Sequence, residues 1–112
     1  MTSKDLARSC EDAAVALLVQ GGYEIVGRNV RMPGGEIDVV ARDGETVVFV
    51  EVKGRAGRTF GSAIGAVDAR KRRTLRKLAA EWMQLFAPRA FARFDVVAAD
   101  GARIRHYKDA FR

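Results

Sequence analysis

With 112 residues, 48% of them hydrophobic and 30% charged, the chain is long enough to fold as one domain around its own apolar core, without disulfides or a structural metal. Its single cysteine excludes an internal disulfide and fits a reducing cytoplasm, and one cysteine beside one histidine argues against a zinc site. The net charge of +6 is local: Lys53–Lys77 holds nine basic residues and one acid, a net +8 that leaves the remainder at −2, as expected for a surface that faces phosphate.

Residues 3–20 are predicted to form an amphipathic helix. Leu6, Cys10, Ala13, Ala14, Leu17 and Leu18 repeat at i, i+4, i+7 and i+8 and define its buried stripe. Thr2 or Ser3 can cap it, Asp5 suits the first turn, and Gly21-Gly22 ends it. Cys10 lies on the stripe as a small hydrophobe. Glu11 and Asp12 flank it, Asp12 as a solvated charge and Glu11 either as another or as a carboxylate lent to a neighbouring site. No targeting segment is visible, and the apolar run Ala13–Val19 is too short to span a bilayer.

Tyr23–Val30 reads as a first strand, with Tyr23 and Ile25 on the core side, and Arg31–Gly35 turns the chain. Gly34–Val40 and Val47–Lys53 then read as two strands joined at Arg42-Asp43-Gly44-Glu45, since Asp-Gly between apolar runs is a strong hairpin signal. Closing the turn on Asp43-Gly44 pairs position 36 with 51 and 38 with 49. Because side chains alternate across a strand, Glu36, Asp38, Glu51 and Lys53 then share one face. Three carboxylates gathered at the end of an apolar strand repel one another and, once desolvated, are driven toward the neutral form. A divalent cation removes the conflict. Magnesium fits best, as it takes oxygen ligands and keeps several waters with only one or two carboxylates.

The connection from Gly54 to Gly61 is basic and glycine-rich but lacks the spacing of a phosphate-binding P-loop. Arg55 and Arg58 either solubilise a connector or meet a nucleic-acid backbone. Asp68 can cap a second helix at 69–86, to which Ser62–Val67 can add a turn. Its core stripe is Leu75, Leu78, Ala79, Trp82, Leu85 and Phe86, with Trp82 in the core rather than stacked on a base. Arg70–Arg73, Arg76 and Lys77 crowd its first turns, against the helix dipole, which suggests a use for the charge. Phe91–Ala98 and Arg103–Tyr107 are the last strands, turning at Asp100-Gly101. Asp95, within an apolar run, either pairs with an arginine or supports the site, and His106 is expected at the surface.

An acid on one strand followed by Glu-x-Lys on the next resembles the PD-(D/E)xK nuclease motif. The chain resembles the YraN family, small bacterial proteins with a restriction-endonuclease-like fold similar to that of archaeal Holliday-junction resolvases. The residues that carry the resemblance are Gly22-Tyr23, Arg28-Asn29, Gly35-Glu36-Ile37-Asp38, Phe49-Val50-Glu51-Val52-Lys53, Phe60-Gly61, Lys71, Arg93-Phe94-Asp95-Val96-Val97 and Ala110-Phe111. It covers nearly the whole chain and implies an α/β (α+β) fold in the order α-β-β-β-α-β-β, with helices on a mixed sheet.

The expected reaction is metal-dependent hydrolysis of a nucleic-acid phosphodiester, selective for structure rather than sequence. Asp38 and Glu51 would hold Mg2+ (or Mn2+), Glu36 would bind the ion or a water, and Lys53 would orient water or stabilise developing charge. Arg55, Arg58, Lys71 and Arg72 would grip the backbone, Glu11 would be accessory, DNA stands ahead of RNA, and a homodimer is allowed. Two other readings stay open: a nucleic-acid binder without catalysis, and an interaction module that binds a partner along the hairpin edge.

Overall fold

The computed structural model describes residues 2–54, 69–100 and 103–112, so Arg55, Arg58, the Asp68 cap, the turn expected at 62–67 and Gly101 lie outside the described residues. The elements are α1 (Ser3–Gln20), β1 (Glu24–Met32), β2 (Gly35–Asp43), β3 (Thr46–Gly54), α2 (Ala69–Phe86), β4 (Phe91–Asp100) and β5 (Arg103–Phe111). The strands form one five-stranded mixed sheet in chain order. Neighbours are antiparallel except β3 and β4, which run parallel and are linked through α2. This is an α+β fold consistent with a restriction-endonuclease-like core. No helix among the described residues is long and apolar enough to cross a membrane.

Both helices bury their stripes against the sheet, on opposite faces. Thr2 caps α1 reciprocally: its Oγ1 accepts the Asp5 N–H at 3.1 Å and its own N–H reaches Asp5 Oδ2 at 3.2 Å. Ala14 and Leu18 of α1 pack with Val39, Ala41, Val48, Val50 and Val97. On the other face Leu75, Leu78, Ala79 and Trp82 of α2 pack with Val47, Phe49, Val96 and Phe111. Alternation along β3 thus feeds both cores, which is why its sequence reads as an unbroken apolar run. Each fully buried Leu, Val or Phe there is worth roughly 1.5–3 kcal/mol. Trp82 is a core residue, edge-on to Phe49 with ring centroids 5.7 Å apart.

Several expectations need correction. The hairpin register runs Asp43↔Thr46 to Val39↔Val50, so position 40, not 38, faces 49. The two-residue loop is Gly44-Glu45, with Gly44 at φ +62° and Glu45 without a positive φ, the pattern of a II′ turn. Moving the turn centre by one residue shifts cross-strand pairing by two and keeps the expected faces near the turn. Farther along, however, β2 changes face at Asp38: Gly35 and Ile37 lie against α2 as Val40 does, while Val39 and Ala41 face α1. Glu36, expected on the face of Glu51, therefore also borders a hollow lined by Lys4, Arg8 and Glu11 of α1. The hairpin is no edge: β1 and β4 cover it on either side, which removes the surface the interaction-module reading needed. Leu6 is 50% exposed and Ala13 is exposed, because the buried contacts of α1 are concentrated in its C-terminal half. Leu85 and Phe86, expected in the α2 stripe, are exposed at the helix end.

His106 is not at the surface. Its Nε2 lies 2.6 Å from Oδ2 of the fully buried Asp95. Asp95 also accepts from Arg93 Nε at 3.0 Å, the Asp109 N–H at 2.9 Å and the Tyr23 hydroxyl at 3.3 Å. Arg93 continues to Asp43 Oδ2 at 2.9 Å and contacts the Tyr23 hydroxyl. Burial alone would push the Asp95 carboxyl up, but the His106, Arg93 and Asp109 hydrogen bonds outweigh it and hold it below the usual range. Asp95 therefore pairs with arginine, as one of its two expected roles had it.

Among the described residues, two non-glycines have positive φ: Asn29 at +50° on β1 and Asp109 at +49° on β5. Asn and Asp are the residues that tolerate this region best. β1 also carries a bulge between Ile25 and Gly27.

Candidate active site

The site lies where β2 parts from β3. Pairing between them extends only to Val39↔Val50, whereas β1 and β2 stay paired to Met32↔Gly35. Asp38 spans the opening with its side chain, Oδ2 accepting the Val52 N–H at 2.9 Å. The carboxylate thus takes a place that a strand carbonyl would otherwise fill. The gap forms a cleft of about 570 Å³ with Glu36, Asp38, Glu51 and Lys53 on the strand side, and Arg70, Lys71 and Thr74 of α2 opposite.

Glu51 is buried, and one of its oxygens meets two ammonium groups. Oε1 is 3.2 Å from Lys71 Nζ and 3.9 Å from Lys53 Nζ. The Asp38 carboxyl is pushed up to about 6, first by burial and then by the Glu51 charge. The Val52 N–H and the Lys71 charge oppose that rise, and Glu11 adds to it. Glu36 stands farther out, exposed, with Arg31 Nε 3.7 Å from its Oε2.

On the α1 side, Asp38 and Glu51 also border a second hollow of about 360 Å³, lined by Leu6, Cys10 and Glu11. The two carboxylates therefore stand in the wall between two openings. Asn29 Nδ2 donates to Glu11 Oε1 at 2.9 Å, and Arg28 Nη2 donates to Asp12 Oδ1 at 2.6 Å. The chemical point of Asn29 was not legible in the sequence, because nothing local announces that a residue at φ +50° will hold a helix carboxylate.

Lys71 and Arg72 part company although they are adjacent. Lys71 lines the cleft, while Arg72 lies over the Phe111 ring, 5.7 Å from its centroid. The helical repeat explains this: positions 71, 74, 75 and 78 lie along one side, and 72 is turned about 100° from 71. Arg70 lines the cleft beside Lys71, whereas Arg72, expected with Lys71 to grip the backbone, is not among the lining residues. Asp95 is not among the residues that line the cleft.

Gly34 and Gly35 let α2 approach the strand. A Cβ would stand 3.4 Å from Leu78 Cδ2 at Gly34 and 3.3 Å from Leu78 Cδ1 at Gly35. Leu78 can yield a few tenths of an ångström, but Gly35 has φ +151°, which L side chains rarely adopt. Gly35→Ala is expected to cost about 1–2 kcal/mol and to lower Tm by roughly 5 °C. Thermal melts check this, and an unchanged Tm would mean that the turn relaxes freely.

A buried carboxylate, Glu51, beside a half-buried one, Asp38, that is held partly against its charge is a donor set that suits a hard, oxygen-seeking divalent ion. Among the described residues no three His, Cys, Asp or Glu side chains are grouped to hold a metal. An ion here would keep several waters, the coordination that Mg2+ prefers.

The sequence model described as "Uncharacterised protein family UPF0102" matches residues 10–99. The chain belongs to the UPF0102 family. A UPF0102 protein of Moorella thermoacetica is 49% identical over 100 residues, which cover 88% of this chain and 82% of that protein. One from Shewanella loihica is 43% identical over 93% of this chain and 91% of its own length. A third, from Dechloromonas aromatica, is 43% identical over 98% and 91%. The UPF0102 match takes in Asp38, Glu51, Lys53 and Lys71, and so agrees with the YraN-like pattern read from those residues.

Proposed function

We propose that the protein is a metal-dependent nuclease that hydrolyses phosphodiester bonds in nucleic acid and selects its substrate by shape. The observation that carries this reading is the cleft itself, in which Asp38 and Glu51 face a wall bearing Arg70 and Lys71, with Lys53 beside them. Asp38 and Glu51 would hold Mg2+ or Mn2+. Bound there, the ion would lower the pKa of a water and offset charge on the phosphate.

The chain's own groups do the rest. Lys53, whose side chain is 26% exposed and sits beside Glu51, presents an ammonium to water or to a non-bridging oxygen. Asp38 uses Oδ2 to accept the Val52 N–H, which orients its carboxylate. Glu36 at the mouth can hold water. Arg70 and Lys71 offer charge to the backbone without reading bases, with Arg55 and Arg58 as further candidates. Glu11, held by Asn29, adds negative charge behind Asp38 and serves as an accessory group.

The test is a panel of duplex, single-stranded and branched DNA and RNA incubated with purified protein and Mg2+, Mn2+ or EDTA. Cleavage of at least one substrate, absent in EDTA and slowed by Lys53→Ala with metal binding retained, is the expected result. No cleavage anywhere in the panel would overturn the enzyme reading. Salt-sensitive binding without cleavage would then make the cleft a binding surface only.

A further inference from the structure

Glu51 Oε1 has two ammonium neighbours that are not equivalent. Lys53 lies on the same strand as Glu51, at 3.9 Å, with 26% of its side chain exposed. Lys71 comes from α2, lies closer at 3.2 Å, and is 49% exposed. Its backbone belongs to α2, on the other wall of the cleft from the strand that carries Glu51, so Nζ can leave Glu51 by side-chain rotation alone. A lysine suits such a role better than an arginine, being a compact, well-hydrated charge on a flexible stem. Its positive charge also acts on Asp38. Lys71 therefore delivers charge to both carboxylates from one place, as a small cation between them would.

We propose that Lys71 is a built-in competitor for the divalent ion: it neutralises Glu51 while the ion is absent and is released toward the substrate's phosphate when the ion binds. This rests on the metal-site reading above and adds a regulatory coupling to it. In the empty site Lys71 shields the carboxylate pair from self-repulsion. Ion binding then frees one cation for the nucleic-acid backbone, so ion and substrate each favour the binding of the other.

Two measurements separate this proposal from the reading it rests on. The first is Mn2+ binding by calorimetry, without nucleic acid, to wild type, Lys71→Gln and Glu51→Gln, with melts to confirm folding. Lys71→Gln should bind Mn2+ about twofold to fivefold tighter than wild type, the scale of one partly exposed ion pair. Glu51→Gln should bind more weakly than wild type. Equal affinity in wild type and Lys71→Gln, with Glu51→Gln weakened, overturns the competition and leaves the metal site standing. Weaker binding by Lys71→Gln also overturns it, since Lys71 would then be supporting the ligands. If none of the three binds Mn2+, the metal site itself fails, and the proposal with it.

The second measurement tests the release toward phosphate, through the salt dependence of binding to a short DNA duplex. In EDTA, wild type and Lys71→Gln should share one slope of log affinity against log salt. With Ca2+ as the ion, and the duplex shown intact on a gel, the wild-type slope should be steeper by about one. Equal slopes in both conditions would overturn the release.

Discussion

Asp38→Asn is expected to raise the melting temperature at pH 7 while it abolishes metal-dependent cleavage. The stability effect follows from the raised carboxyl. A group whose pKa lies higher in the folded state than its unfolded value of 3.8 contributes most below that value, and the contribution is lost as pH rises through about 6. At pH 7 the fold therefore holds Asp38 charged against the preference of its surroundings. The penalty is at most about 3 kcal/mol, and solvent at the cleft mouth brings it nearer 1–2 kcal/mol. Asparagine keeps an oxygen for the Val52 N–H and carries no charge. Its Tm in EDTA should exceed that of wild type by about 5 °C at pH 7 and match it near pH 4, where Asp38 is already neutral in the fold. Cleavage should fall by on the order of 10²-fold or more. Paired melts from pH 4 to 8 and a cleavage assay give both readouts. An Asn variant no more stable than wild type at pH 7 would show that the carboxylate is already well satisfied.

Asp95→Ala should be the most destabilising change for its size. It leaves Arg93 with Asp43 as its remaining carboxylate partner, and leaves His106, the Tyr23 hydroxyl and the Asp109 N–H without their acceptor. Removing one partner of a buried charged pair costs about 3–5 kcal/mol, a large share of a total near 5–15 kcal/mol. Urea denaturation should show the midpoint falling steeply, or no folded baseline at all. Asp95→Asn retains an acceptor and should lose less. The pH sense is opposite to that of Asp38: a lowered carboxyl contributes above 3.8 and loses its contribution as pH falls through the folded value. A mild effect of Asp95→Ala, under about 1 kcal/mol, would mean that water replaces the carboxylate.

The parts of this molecule that were legible in the sequence are those governed by local periodicity. Helix α1, Ser3–Gln20, has the limits that its stripe and caps foretold, and α2 ends at Phe86 as its stripe foretold. The face shared by Val40 and Phe49 was legible as well, since an even slip in register preserves it, but the change of face at Asp38 was not. The register was not, because Asp43-Gly44 can centre a I′ turn whereas the chain places Gly44 first in a II′ turn. The split between Lys71 and Arg72 could have been read by extending the Leu75–Leu78 stripe back one turn. The Tyr23–Asp95 contact could not: its partners are 72 residues apart, and no local pattern encodes a polar meeting across four strands. The splay that opens the cleft is likewise non-local, resting on one side chain that bonds a strand N–H 14 residues away.

The two positive-φ residues have a bearing on self-association. Asn29 and Asp109 sit on β1 and β5, the two outer strands of the sheet, and β1 has its bulge as well. A straight outer strand displays a row of N–H and C=O groups on which another chain can build. Here each row is interrupted by a left-handed residue that turns the peptide plane out of line. Both borders of the sheet are thereby poorer templates for a further strand than straight edges would be.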